Sequence, residues 1–240
     1  MAAYTPQFSI LALALLVVCC GACYGQGTGA VTEIDPGIAV GLEVNPKIRL
    51  DFYAGREKSE EIEAAKDKIG VGVSFRMKPL FKRFLESVDS DKQHLLVLGT
   101  IYEYSIASEP GATTKEHKLM FDATLRYAFK YDLLLGVRNR LELRWVNGDY
   151  HFRYRNRPML ERPFRLWKRD VTPYIAAEAF WDQRYSKWNM FKGTTGVVVP
   201  LYRRTSLEFL YERQHCITCA DVNTNIFGLT LNLALKLKKK

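Results

Sequence analysis

The chain alternates between apolar and polar residues with a period of two along most of its length. In the clearest segment, residues 133–145, leucine, valine and tryptophan side chains occupy one face, and arginine and glutamate side chains occupy most of the other. A helix would mix these two sets around its circumference, so the alternation predicts a β-strand. Asn147-Gly148-Asp149 then predicts a tight hairpin turn, and the alternation continues over residues 150–157.

Eleven segments share this pattern. They cover residues 34–44, 48–54, 69–77, 95–104, 119–129, 133–145, 150–157, 171–181, 191–201, 207–213 and 227–237. Most have the length of a tilted membrane-crossing strand, about 9–11 residues, whereas strands of soluble sheets average about 5–6. We therefore predict an all-β fold, an antiparallel transmembrane β-barrel of about 10–12 strands. Single-chain bacterial barrels have even strand numbers with both chain ends in the periplasm, which favours ten or twelve strands over eleven.

A soluble β-sandwich would also bury one face of each strand, so the alternation by itself leaves two folds open. Aromatic residues at the strand ends favour the membrane barrel, because they form interfacial girdles; they are Tyr127, Phe129, Trp145, Trp181 and Trp188. Small residues that share faces with the charges suit a crowded lumen; they are Gly72, Gly136, Gly196 and Gly228. The alternative is a soluble periplasmic β-barrel or sandwich that binds an apolar ligand.

The amino-terminal segment predicts export. Residues 8–24 carry no charge, and the first charged side chain is Glu33. The apolar run over residues 10–18 is shorter than the roughly 20 residues that a transmembrane helix needs, and small residues follow it. We predict a signal peptide over residues 1–25, cleaved near Gly25, and an outer-membrane barrel domain over residues 26–240. A single membrane anchor remains the other interpretation of this segment.

The chain carries 35 Lys+Arg and 26 Asp+Glu residues, a formal charge of +9. Such a charge can indicate nucleic-acid binding. Here, however, the arginines alternate with residues that we assign to lipid, so no nucleic-acid partner is expected. The expected partners are the outer-membrane lipid bilayer, the barrel-assembly machinery and small anionic solutes. With a periplasmic C-terminus, residues 57–66, 105–116 and 214–224 are predicted to form surface loops.

Four short motifs carry a resemblance to a known family. They are residues 137–144, Val-Arg-Asn-Arg-Leu-Glu-Leu-Arg; residues 170–181, Asp-Val-Thr-Pro-Tyr-Ile-Ala-Ala-Glu-Ala-Phe-Trp; residues 193–197, Gly-Thr-Thr-Gly-Val; and residues 207–212, Leu-Glu-Phe-Leu-Tyr-Glu. Together they resemble the Gram-negative outer-membrane family catalogued as domain of unknown function 2490. The resemblance covers roughly residues 94–237 well and residues 30–80 loosely. It implies a β-barrel in the outer membrane and no assigned activity.

The candidate functional residues are the charges on the predicted lumen face. They are Arg126, Arg138, Arg140, Glu142, Arg144, Arg153, Arg155, Arg157, Glu178, Lys192, Glu208 and Glu212. Two interpretations remain open. The arginines and lysines line a narrow, anion-preferring pore, or they pair with carboxylates and plug a structural barrel. In the second case Glu142 or Glu178 pairs with arginines on neighbouring strands.

No pattern of catalytic or metal-binding residues is evident. Cys216 and Cys219 beside a single histidine are too few ligands for a metal, so a loop disulfide in an oxidising compartment is the simpler expectation. The four histidines are scattered, without a Ser/His/Asp arrangement. We therefore expect no catalytic residues, no metal and no cofactor. An outer-membrane lipid-acting enzyme remains the alternative function.

Overall fold

The computed structural model describes residues 30–59, 63–79, 90–130, 132–166, 169–202, 204–219 and 223–237. The predicted signal peptide lies outside the described residues. The strands are β1 Ala30–Asn45, β2 Ile48–Ser59, β3 Ala64–Pro79, β4 His94–Glu109, β5 Ala112–Ala128, β6 Leu134–Val146, β7 Asp149–Glu161, β8 Phe164–Leu166, β9 Arg169–Asp182, β10 Lys187–Tyr202, β11 Thr205–Cys216 and β12 Asn223–Lys236. A short 3-10 helix, Ser90–Gln93, precedes β4.

The long strands close into one barrel. Each pairs in antiparallel fashion with the next long strand along the chain, and β7 pairs directly with β9 because the three-residue β8 adds only to the edge of β9. The ring closes where β1 pairs with β12, from Ala30 opposite Asn223 to Glu43 opposite Lys236. The prediction of an all-β barrel of about 10–12 strands is confirmed, with eleven long strands among the described residues.

The odd number corrects the preference for ten or twelve strands. In an up-and-down ring of eleven strands the first and last strands run in the same direction, so the β1–β12 pair is parallel. Ala30 and Leu237 therefore lie at opposite ends of the barrel. We call the end with Ala30 and the 147–148 turn the N-terminal rim. The end with Leu237 and the 46–47 turn is the C-terminal rim.

All eleven predicted segments fall within or one residue beyond the long strands, which are 12 to 17 residues long. The predicted surface loop over residues 105–116 is wrong, because β4 and β5 continue to a two-residue turn at Pro110-Gly111. The alternation there is between polar residues, so hydropathy gave no strand signal. The predicted turn at Asn147-Gly148 is confirmed. Both residues have positive φ, 51° and 97°, as a type I′ turn requires.

The outer face of the barrel is apolar and ends in aromatic residues at both rims. Tyr127 and Phe129, with ring centroids 4.7 Å apart, lie at the C-terminal rim. Trp145 and Tyr150 pack together at the N-terminal rim, with ring centroids 5.4 Å apart. Between the rims the exposed side chains include Phe121, Leu125, Leu141 and Ile175. An exposed apolar band between two aromatic girdles is the surface of a membrane-spanning barrel.

No helix in the described part of the chain is long and apolar enough to span a membrane.

Inside the barrel, tyrosine rings lie directly over glycines on the neighbouring strands. A Cβ atom added at Gly70 would lie 2.3 Å from the ring of Tyr53, and one added at Gly196 would lie 2.5 Å from the ring of Tyr174. Neither glycine could be replaced without displacing a ring. Small residues on the charged face thus make room for large side chains that lie against the inner wall.

Candidate functional site

The predicted lumen charges all lie on the inward face. Along the strands exposed apolar side chains alternate with buried or half-buried polar ones, and in a single-layered closed sheet the buried face is the inner one. Glu142 and Glu178 are almost completely buried, at 0% and 4% exposure. The cost of burying such carboxylates requires charge partners, and the structure supplies them from adjacent strands.

A central ion-pair cluster lies on the inner face of the neighbouring strands β6, β7 and β9. Glu142 accepts hydrogen bonds from Arg153 Nε at 2.8 Å and from Arg155 Nη1 at 2.6 Å. Arg155 also donates from Nε and Nη2 to Glu178, both at 3.0 Å. Arg138 Nη2 donates to Glu178 at 3.1 Å. The cluster thus has two carboxylates and three guanidinium groups, and Arg155 joins its two halves.

Phe180 fills the space beside this cluster. Its ring is 1% exposed and packs with Met190 and Cys216 in the only apolar core cluster of the described residues. The guanidinium carbons of Arg155 and Arg153 lie 4.5 Å and 5.2 Å from the ring centroid. Cation–π contacts of this kind strengthen when they are shielded from water. The apolar and ionic parts of the lumen therefore form one packed layer.

A second network connects β2, β4, β5 and β6. Glu103 accepts hydrogen bonds from Tyr53 at 2.5 Å and from Lys118 at 2.6 Å. Lys118 also pairs with Glu116 at 3.3 Å, and Glu116 accepts a hydrogen bond from Arg144. Tyr53, Glu103 and Glu116 were not among the predicted site residues. For the two glutamates a sequence signal was available. Glu103 lies between Tyr102 and Tyr104, and Glu116 precedes His117, so both alternate with outward-facing residues.

The remaining predicted carboxylates are also engaged. Glu212 accepts a hydrogen bond from Lys192 at 2.5 Å and one from Thr194 at 3.1 Å. Glu208 accepts one from Tyr174 at 2.5 Å. Strands β1, β2 and β3 hold a further cluster that the sequence did not indicate. There Lys68 contacts Asp35 and Glu57, each at 2.9 Å.

The N-terminal rim carries two local constraints. A disulfide joins Cys216 to Cys219. In the 183–186 turn Arg184 hydrogen-bonds the buried carboxylate of Asp182 through Nε and Nη2. These bonds raise the pKa of the Arg184 guanidinium above its usual value. Both contacts fix the rim close to the packed layer of the lumen.

A chamber occupies the lumen between the central cluster and the C-terminal rim. Its volume is about 990 Å³. Arg140 lies at the edge of the chamber next to the central cluster. It donates two parallel hydrogen bonds to Asp122, of 2.6 Å and 2.7 Å. Arg126 and Arg157 also line the chamber, and neither forms an ion pair or hydrogen bond with the described part of the chain.

The histidines are not assembled into a catalytic group. His117 lies on the outer face, where the hydroxyl of Tyr102 is 2.7 Å from its Nδ1. His151 faces the lumen, buried, and its Nε2 has no hydrogen-bond partner there. His215 contacts Asn223 at 3.2 Å. Within the described ranges no group of three or more His, Cys, Asp or Glu residues is arranged to hold a metal ion.

The apolar outer band, the aromatic girdles and the charged lumen together define an outer-membrane-type β-barrel. The model of the family described as "Protein of unknown function (DUF2490)" matches residues 87–224, more than half of the chain. The chain belongs to this family, as the sequence motifs predicted.

One similar solved structure is LpxR from Salmonella typhimurium. The two chains are 8% identical, with a TM-score of 0.50, over 78% of this chain and 83% of that one. At this identity the similarity shows the fold alone. None of the curated proteins matches the chain.

Proposed function

We propose that this protein is an outer-membrane barrel whose lumen is closed by its own ion pairs, so that it forms no open pore. Of the two interpretations of the lumen charges, the geometry favours the plugged barrel. The observation that carries the proposal is the complete burial of Glu142 between Arg153 and Arg155. A carboxylate on the wall of a water-filled channel would be accessible to solvent.

Other inward side chains at this level support the same proposal. Phe180 and Asp182 on β9 and Met120 on β5 are each at most 2% exposed. A continuous water path past these side chains would expose at least one of them. Removing a single partner from such a cluster leaves an uncompensated buried charge, which is strongly unfavourable. The network therefore favours one strand register and holds the lumen shut.

Single-channel conductance in planar bilayers tests the proposal. We expect no current steps from the refolded protein once its insertion has been verified. The double variant Glu142→Ala/Arg155→Ala removes a neutral pair and much of the side-chain volume, so we expect steps to appear. Arg56→Ala, at an exposed ion pair on the outer face, serves as the control.

Anion-selective steps from the unaltered protein would contradict the closed barrel. If Arg140→Ala or Arg155→Ala then changed the reversal potential, the inward arginines would line a pore instead.

We also propose that the protein reaches the outer membrane through the signal peptide in residues 1–25 and the barrel-assembly machinery. The apolar outer band supports a lipid environment over a soluble periplasmic barrel. The expected result is recovery in the outer-membrane fraction, with a gel mobility that changes on boiling. A soluble protein with the same mobility in both samples would favour the periplasmic alternative.

The proposed function includes no catalysis. Purified protein is expected to release no product from phospholipid or lipopolysaccharide vesicles. Activity that disappears in His117→Ala or His151→Ala would establish the lipid-acting enzyme instead.

A further inference from the structure

Three of the arginines that line the chamber lie on neighbouring strands beside Gly136, which has no side chain and so leaves a gap in the chamber lining. Arg138 on β6 and Arg157 on β7 lie directly opposite each other in the register, and Arg126 on β5 lies opposite Gly136. All three line the chamber, together with Gly136. We call Arg126, Arg138 and Arg157 the basic cluster. Like charges on adjacent strands repel each other, so this arrangement is unfavourable without a counter-charge.

Each arginine of the basic cluster holds a buried nitrogen without a hydrogen-bond partner. These atoms are Arg126 Nη1, Arg138 Nε and Arg157 Nε. Buried guanidinium nitrogens without acceptors are costly, because they have lost water and gained nothing in return. Three of them in one place indicate that an acceptor group belongs there.

In the described part of the chain, no carboxylate around the chamber hydrogen-bonds Arg126 or Arg157. Asp122 is bound by Arg140 through both oxygens. Glu161 pairs with Lys92 at 2.5 Å. Glu178 reaches Arg138 through one Nη atom only and acts on Arg157 at longer range. The basic cluster therefore keeps free donors that point to an external anion.

Gly136 provides the space for it. A Cβ atom added there would have one neighbour within 4 Å, the Cγ of Arg126 at 3.9 Å. Any larger residue at this position would fill the gap between the three guanidinium groups. The chamber volume of about 990 Å³ exceeds what a bare inorganic ion needs and reaches the C-terminal rim.

We propose that the basic cluster is a binding site for a tetrahedral oxyanion, that is, a phosphate group. A planar guanidinium donates two parallel hydrogen bonds to phosphate oxygens, and three of them can surround one phosphate. The phosphate group comes either from a soluble phosphate compound or from a phospholipid head group that enters at the C-terminal rim. The site lies beside the closed layer and does not require an open lumen.

Isothermal titration calorimetry of the folded protein in nonionic detergent, in phosphate-free buffer at low salt, tests the site. The first probe is inorganic phosphate, and the second is water-soluble dihexanoylphosphatidylglycerol. We expect saturable binding of one equivalent. In Arg126→Met/Arg157→Met the affinity should fall by about tenfold or more, as for the loss of charge-assisted hydrogen bonds.

Two further variants separate binding at the site from general charge effects. Arg56→Met/Lys115→Met removes the same charge from exposed positions and should leave the affinity unchanged. Gly136→Leu keeps all three arginines but fills the gap, and it should abolish binding. Boiled and unboiled gel samples verify that each variant is folded.

The outcomes are distinct. Tighter binding of inorganic phosphate assigns a soluble ligand, and tighter binding of the phospholipid probe assigns a head group. No binding of either probe, or equal loss in Arg56→Met/Lys115→Met, would overturn the site. Conductance is a separate measurement, so a silent barrel without phosphate binding would refute only the site. A conducting barrel that binds phosphate would refute only the closed lumen.

Discussion

The two halves of the lumen differ in how their arginines are paired. Arg155 and Arg157 lie two residues apart on the same strand and face. Toward the N-terminal rim, Arg155 is held between Glu142 and Glu178 by four hydrogen bonds or close ion pairs. Toward the C-terminal rim, Arg157 faces Arg138 and a chamber, and its Nε has no partner. Position on the inward face therefore does not decide whether a charge is structural.

The difference comes from the neighbouring strands. Near Arg155 the adjoining strands present Glu142, Glu178 and the ring of Phe180, which together form the packed layer. Near Arg157 they present another arginine and the gap at Gly136. The basic cluster there, in which only Arg138 pairs with a carboxylate, has the features of a binding site, since unsatisfied buried charge is unfavourable for stability.

The largest effect on stability is expected from a substitution in the half of the lumen that contains the central ion-pair cluster. Arg155→Met removes the residue that joins Glu142 to Glu178 and leaves both carboxylates short of a partner. We expect the free energy of unfolding to fall by about 3 kcal/mol or more. Equilibrium urea unfolding in lipid vesicles, followed by tryptophan fluorescence, measures it. Arg157→Met is the matched control, and equal losses in both variants would refute the contrast between the two halves.

A smaller effect is expected at the boundary between the halves. Asp122→Asn retains the shape of the side chain but removes the charge that Arg140 binds through two bonds. Hydrogen bonds between charged groups contribute about 1.5–3 kcal/mol, so a loss of about 2 kcal/mol is expected in the same urea titration. An unchanged midpoint would mean that water replaces the carboxylate and that the chamber is more hydrated than its lining indicates.

In the half of the lumen that contains the chamber, loss of an arginine should not lower the free energy of unfolding. Arg157→Met removes a repulsive charge and an unsatisfied donor, against a weak long-range attraction to Glu178. In phosphate-free buffer we expect the free energy of unfolding to stay constant or to rise by about 1 kcal/mol. Adding phosphate should stabilise the unaltered protein more than the variant, because only a bound ligand shifts the unfolding equilibrium. A destabilised variant without ligand would show that Arg157 is structural.

The smallest effect is expected outside the lumen. The exposed pair of Arg56 and Asp67, 3.5 Å apart, has side chains that are more than 60% exposed. Asp67→Asn should change the free energy of unfolding by less than about 0.5 kcal/mol, since exposed ion pairs contribute little. This variant is the reference for Asp122→Asn. A comparable loss in both variants would show that burial does not determine how much these ion pairs contribute to stability.

The sequence alone determined the strands, their inward faces and the hairpin at Asn147-Gly148. These features are local. Strand alternation depends on neighbouring residues, and a type I′ turn depends on two residues that tolerate positive φ. The sequence also identified Glu142 and Glu178 as candidates for pairing with arginines, because carboxylates on a crowded inward face need partners.

Only the tertiary structure decided the parallel closure of β1 on β12, the participation of Tyr53 and Glu103, and the separation of the lumen into a packed layer and a chamber. Each depends on the register between strands that are distant in the sequence. A period-two pattern fixes which face a side chain occupies, but it does not fix its height relative to the opposite wall. That height, set by closure of the whole ring, places Arg155 among carboxylates and Arg157 beside another arginine.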